Sequence, residues 1–317
     1  MNSVSQQHAL EQYFPASALT DEHQLTQLRL LARRIRSASI PQLKSLLAGN
    51  HTSKQKGRGL DLDQLRIYQP GDDIRSIDWR VTARTQKPHT RIYREERERP
   101  IIILCDQRNP MFFGTQRSFK SVVAAQCAAL LAWSALDHGD RVGAVILSNQ
   151  QEWDFRPKQR AQHVLQIIKS LNECNHALQH KAPMSVALSD SLRNLHRSIP
   201  PGSTVYLISD FFDLDESARE ALYNLKRHNH VVALQVYDDY ERKALPPGVY
   251  PVTDGEQSGI LNTGSTATQR QYVQAQSQWQ ATIDRLFKQL SVPHHSVPAA
   301  GIPYDALRVA LSQGGHS

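Results

Sequence analysis

Asp106 and Asp210 each close an apolar run, Ile101-Ile-Ile-Leu-Cys before the first and Thr204-Val-Tyr-Leu-Ile-Ser before the second. In an open parallel sheet, ligands collect outside the carboxyl ends of the strands, so two strand-end carboxylates mark a candidate site. Such oxygens suit a hard cation such as Mg²⁺. The structural alternative is that each caps a following helix or pairs with Arg108, a permanent cation two residues after Asp106. A second acidic cluster, Asp72, Asp73 and Asp78, has the composition of a metal-dependent hydrolase site. On a helix, however, Asp73 and Asp78 point about 140° apart, so one short helix does not focus them on one ion. Capping, and ion pairing with Arg75 and Arg84, explain them at less cost. Cys105, Cys127 and Cys174 form no Cys-x-x-Cys pair and read as buried reduced thiols. His294-His295 is weak evidence for a metal, and no phosphate loop, nucleophile elbow or dinucleotide fingerprint occurs.

The elements that must position these carboxylates are legible as an alternation. Apolar strands over 101–106, 142–148, 204–210 and 231–237, with an edge strand near 153–156, alternate with helices over 119–137, 159–171, 185–196 and 216–227. Continuously apolar strands separated by helices predict a mostly parallel α/β sheet with helices on both faces. Beyond it, 246–264 predicts a hairpin or loop excursion, 266–290 a long polar helix, 291–297 an edge strand and 303–311 a final helix. Near the N-terminus, Leu25, Leu28, Leu31 and Ile35 recur at helical spacing behind a Thr20 or Asp21 cap, and a second short helix is expected over 41–48. Ahead of the first apolar strand, Pro70-Gly71 makes a turn and Asp72 or Asp73 caps a helix over 73–84, with Ile74, Ile77 and Val81 as its apolar face. Trp79 is expected to be buried there, anchoring this segment onto the sheet. The charged run 94–99 is expected to be an extended strand.

The order Tyr68-x-Pro70-Gly71-Asp72-Asp73-x-Arg75-x-x-Asp78-Trp79, then Ala83-Arg84, then Glu95-x-x-x-Arg99 and the strand ending in Asp106, strongly resembles the bacterial family catalogued as domain of unknown function 58. Met111, Gly114, Lys120 and the Gly139-Asp-Arg-Val-Gly143 turn stand where that family's pattern puts them, and the resemblance covers residues 57–290. It implies a von Willebrand factor type A-like fold, whose metal-ion-dependent adhesion site uses Asp-x-Ser-x-Ser on a first loop, a Thr on a second and an Asp on a third. The first loop here reads Asp106-Gln107-Arg108-Asn109-Pro110, so both serine positions are lost. Arg108 stands where a hydroxyl should coordinate, and Pro110 brings neither donor nor acceptor. Ser185 is the stand-in for the threonine, or only a helix cap, and Asp210 is the surviving ligand. The set Asp106, Arg108, Ser185 and Asp210 is therefore expected to be degenerate, without Mg²⁺ or another cofactor. In this expectation Arg108 holds Asp106 and Asp210 in place of the ion and receives an acidic residue of a partner. The family further implies a protein partner, a MoxR-type AAA+ ATPase, in assembling or remodelling other proteins.

The 317 residues allow one sizeable core with an appendage. The expected divisions are 1–56, basic and helical; 57–100, a small β/helix element carrying the motif; 101–300, the sheet domain; and 301–317, a helix and tail. Lys and Arg number 37 against 30 Asp and Glu, a net charge of +7, and between His23 and Leu60 eight basic residues meet no acidic one. That segment motivates an alternative, binding to nucleic acid or an anionic surface, although no aromatic residue interleaves the basic ones to stack on bases. No secretory signal and no apolar run of bilayer length is visible, so a cytoplasmic location is expected. The leading expectation is a non-enzymatic protein-interaction module.

Overall fold

The computed structural model describes residues 10–35, 60–69, 74, 77–95, 100–180, 182–253 and 258–313. In chain order the elements are α1 (Glu22–Gln27), α2 (Arg29–Ile35), β1 (Leu60–Ile67), α3 (Trp79–Thr85), β2 (His89–Glu95), β3 (Ile101–Asp106), α4 (Lys120–Asp137), β4 (Val142–Leu147), β5 (Glu152–Lys158), α5 (Ala161–Ala177), α6 (Leu188–Ser198), β6 (Thr204–Ser209), α7 (Glu216–His228), β7 (His230–Tyr237), β8 (Val249–Thr253), β9 (Ser258–Asn262), α8 (Thr266–Gln289), β10 (His294–Pro298) and α9 (Pro303–Gln313). They fall into two compact units, one of Met1–Leu47 with Arg99–Ser317 and one of Ala48–Glu98.

The larger unit is built on a six-stranded sheet in the order β10-β7-β6-β3-β4-β5. All neighbours run parallel except β5, which returns antiparallel beside β4. Counted by appearance within this sheet, the order is 6-5-4-1-2-3, the doubly wound arrangement whose direction of growth reverses between its first and fourth strands. Those two strands are β3 and β6, which end in Asp106 and Ser209.

Period-two alternation sorts the strand residues onto the two faces. Ile103, Cys105, Ile146, Ile208 and Leu234 join one core cluster with α1, α2, α4, α5 and α9. Ile102, Leu104, Leu147, Leu207 and Ala233 join a second with α6, α7 and α8. The sheet is therefore covered on both sides, as its apolar strands require. Helix α4 is buried from Lys120 through Ala135, and its Ala-rich sequence lets neighbouring elements approach closely. Asp21 caps α1, and Leu25, Leu28, Leu31 and Ile35 are all buried, so the N-terminal stripe packs into the sheet's own core. The expected helix over 41–48 lies outside the described residues. The expected hairpin is β8 with β9, and the expected edge strand is β10, parallel to β7.

In the smaller unit β1 and β2 pair antiparallel, Ile67 opposite His89. Helix α3 begins later than expected. Ile77 is drawn into a bridge with Thr90, and Asp78, in extended conformation, accepts hydrogen bonds from the N–H groups of Arg80 and Val81 at 3.0 and 3.1 Å. Asp78 is thus the cap that Asp72 or Asp73 was expected to be. Trp79 is 66% exposed rather than buried. The reason is local: with the helix starting at Trp79 itself, the first-turn side chain projects from the end of a seven-residue helix that buries none of its residues.

Candidate functional site at the carboxyl edge of the sheet

The chain leaving β3 turns at once through Gln107 and Arg108 into a short 3₁₀ turn, Asn109–Met111. Arg108 folds back beneath the strand end and is 1% exposed. Its Nε donates to Asp106 Oδ1 at 2.9 Å and its Nη2 to Asp106 Oδ2 at 2.7 Å, a bidentate fork on the strand-end carboxylate. The same guanidinium grips a second carboxylate, Nη1 to Asp213 Oδ2 at 2.6 Å and Nη2 to Asp213 Oδ1 at 2.8 Å, and Nη1 also donates to the Val186 carbonyl at 3.0 Å. These five bonds match the five N–H groups a guanidinium possesses. Burial alone would lower the pKa of Arg108, but the Asp106 and Asp213 carboxylates outweigh it and raise the pKa above the ordinary arginine value. Burial would in turn raise the Asp213 carboxyl, and the Arg108 hydrogen bonds and charge reverse this and hold it below its usual value.

A second buried cation lies alongside. Lys120, at the start of α4 and 1% exposed, donates to Asp210 Oδ2 at 2.7 Å and to Glu241 Oε1 at 2.5 Å. Burial opposes its charge, and Asp210 and Glu241 overcome that penalty and raise its pKa. Burial, helped by the charge of Asp210, raises the Glu241 carboxyl despite Lys120. Each loop is fastened further. Ser209 Oγ donates to Asp106 Oδ2 at 2.7 Å, and Asp213 accepts from the N–H of Leu188 at 2.9 Å at the start of α6. Asp238, after β7, receives the Thr115 hydroxyl at 2.6 Å. Asn149, after β4, and Asn109 exchange bonds of 2.7 and 2.8 Å. The loops after β3, β4, β6 and β7 are therefore tied together by polar groups.

Phe211 adopts the left-handed conformation, φ 59°, unusual for a bulky residue. This sends its ring into the core against Phe287 at 5.0 Å and turns its neighbour Phe212 outward, 53% exposed. On the loop after β3, Phe113 is 41% exposed. It precedes Gly114, where an added Cβ would lie 2.4 Å from the Ser118 carbonyl, so only glycine fits this turn.

Asp106 and Arg108 meet as expected. Asp210 does not share Arg108: Lys120 takes it, and Asp213 is the second partner of the guanidinium. Ser185 does not open a helix. Its N–H and Oγ both donate to the Asn149 carbonyl, at 2.7 and 3.2 Å, and α6 begins only at Leu188. With all five donors spent, Arg108 also has none left for an acidic residue of a partner. Of the motif residues, Tyr68 donates its N–H to the Pro88 carbonyl at 2.8 Å, Asp78 caps α3, Trp79 and Arg84 are exposed, and Pro70, Gly71, Asp72, Asp73 and Arg75 lie outside the described residues. Asp213, Ser209 and Glu241 escaped the sequence reading, and Lys120 entered it only as a position of the family pattern. The signal available was Lys120 as the lone charge heading an uncharged run that reaches Leu136.

A divalent ion at the strand ends would need free carboxylate oxygens. Arg108 and Ser209 occupy both oxygens of Asp106, and Lys120 holds Asp210, so the residues present do not fit the type A metal site. Among the described residues no group of three or more His, Cys, Asp or Glu is arranged to hold a metal ion.

The fold and the site define an α/β sheet protein whose ligand-type edge, at the switch between β3 and β6, is closed by two of its own cations. The chain belongs to the family described as "Protein of unknown function DUF58", which matches residues 64–282. It is 26% identical over 283 residues to the uncharacterized protein Rv1480 of Mycobacterium tuberculosis, covering 88% of this chain and 87% of that one. A Mycobacterium bovis protein, Mb1516, matches to the same extent. Among solved structures, BatB from Bacteroides thetaiotaomicron aligns with a TM-score of 0.41 at 13% identity, over 69% of this chain and all of that one. A von Willebrand factor type A protein from Catenulispora acidiphila aligns at 0.37 and 12%, over 69% and 43%.

Proposed function

We propose that this chain is a non-enzymatic protein–protein interaction module that offers the carboxyl edge of its sheet to a protein partner, a MoxR-type AAA+ ATPase. One observation carries the reading: two residues with exposed aromatic side chains have their backbones tied to the two residues of one buried ion pair. The Phe113 carbonyl accepts from the N–H of Lys120 at 2.7 Å, and the Phe212 N–H donates to Asp210 Oδ1 at 3.1 Å, while Lys120 and Asp210 bind each other. Exposed aromatics on rigid loops are the residue type that anchors interfaces, because they bury large area at small entropic cost. The buried ionisable groups described at this edge, Asp106, Arg108, Lys120 and Asp210, are engaged in ion pairs, which favours binding over catalysis. The ATPase is the partner that the sequence resemblance implies.

The nucleic-acid alternative is weakened within the described part of the basic segment, where Arg29 and Arg33 both pair with Asp137, at 3.3 and 3.2 Å. No described helix is long and apolar enough to cross a membrane; a cytoplasmic setting is part of the proposal. The test is calorimetric titration of the purified protein with a MoxR-type ATPase from the same genome. Saturable binding is expected, weakened at least tenfold by Phe113→Ser with Phe212→Ser at unchanged Tm. Absence of binding, or binding indifferent to both substitutions, overturns the reading.

A further inference from the structure

We propose that Arg108 and Lys120 do permanently the work of a divalent metal ion at this edge, and that the pocket filled by the Arg108 guanidinium is a latent divalent-cation site. The inference rests on the acceptors. Every hydrogen-bond acceptor of the guanidinium is an oxygen: both of Asp106, both of Asp213 and the Val186 carbonyl, with Ser209 Oγ 2.7 Å from Asp106 Oδ2. Carboxylates, a carbonyl and a hydroxyl are the donor set hard cations take. These ligands come from the ends of β3 and β6 and the residues ahead of α6, so whatever fills the pocket clamps separate segments of the fold.

Charge points the same way. Two carboxylates against one guanidinium leave one negative charge; without the guanidinium two remain, the charge a divalent ion neutralises. Lys120 repeats the pattern with Asp210 and Glu241. An ion dissociates and depends on its concentration, whereas a side chain does neither. The constellation therefore stays assembled at any metal concentration, and a carboxylate from a partner finds neither a bound metal nor a free Arg108 donor. Contact at this edge falls to the apolar groups instead.

The experiment follows Tm and Mn²⁺ binding by electron paramagnetic resonance on wild-type protein, Arg108→Ser and Arg108→Lys, with EDTA or with millimolar Mg²⁺, Mn²⁺ or Ca²⁺. The wild type is expected to bind no Mn²⁺ and to keep one Tm in all conditions. Arg108→Ser should melt lower by several degrees and recover saturably with metal, whereas Arg108→Lys, which retains a cation, should not respond. Saturable Mn²⁺ binding by the wild type that Asp106→Asn abolishes overturns the proposal. So does an Arg108→Ser protein that melts like the wild type without metal, or that folds but gains nothing from it. If Arg108→Ser folds in neither condition, the other two proteins decide: Mn²⁺-free and stable sustains the proposal, and metal-bound overturns it.

Discussion

The carboxyl edge of the six-stranded sheet and the β1–α3–β2 unit invert the usual rule in opposite directions. The edge buries a guanidinium and an ammonium, each 1% exposed, while the smaller unit leaves Trp79 66% exposed. The two inversions differ in what compensates them. Arg108 and Lys120 are each paired with two carboxylates inside the fold, so their burial is explained without any other molecule. Nothing within α3 covers the Trp79 ring, and the helix is held by Asp78 rather than by packing of its first turn. A buried, satisfied charge marks a structural clamp; an exposed, rigidly based aromatic marks a surface that another molecule can use.

The largest blow to that contrast is Arg108→Ala, which strands the Asp106 carboxylate in the interior and leaves the half-buried Asp213 without its cation. It should cost about 3–5 kcal/mol in urea unfolding at pH 7, the range for breaking a buried pair. A loss under about 1 kcal/mol, the size of an exposed salt bridge, would erase the distinction. Lys120→Met should cost less, about 3 kcal/mol, because Glu241, with its side chain 31% exposed, can turn toward water.

Asp213→Asn sharpens the clamp through pH. The carboxyl pKa is depressed in the folded protein, so its contribution is present above the unfolded value and lost as pH falls through the folded one. The variant should be about 1–3 kcal/mol less stable at pH 7, and the gap to wild type should close progressively in acid. A gap independent of pH would mean that shape rather than charge is at stake. Trp79→Ala is expected to move stability least, within about 0.5 kcal/mol, as surface substitutions do. Destabilisation by several kcal/mol would restore the buried-anchor reading and dissolve the comparison.

Much of this was legible in the residues because it is local. Near-continuous Val, Ile and Leu runs separated by helical stripes specify a covered parallel sheet whichever way its strands are ordered. Arg108 lies two residues from Asp106, so their pairing needs only a turn of the chain. The helix of the smaller unit starts later than its apolar spacing predicts because Ile77 reads equally as a helix face or as a bridge partner for Thr90, and only the partner strand decides between them.

From its own sequence, then, this protein determines an α/β sheet with strand-end carboxylates, a cation beside the first of them and a capped N-terminal helical stripe, since each depends on neighbours within a few residues. Which carboxylate each cation holds is decided only by the tertiary structure. Asp213 lies 105 residues from Arg108, and Asp210 and Glu241 lie 90 and 121 from Lys120. These groups meet because the crossover connections bring β3 and β6 side by side and set the loops after β3, β6 and β7 at one edge of the sheet. Side-chain pattern sets how much of a segment is buried, but the partner of a buried charge depends on chain topology, and topology is not a property of any single segment.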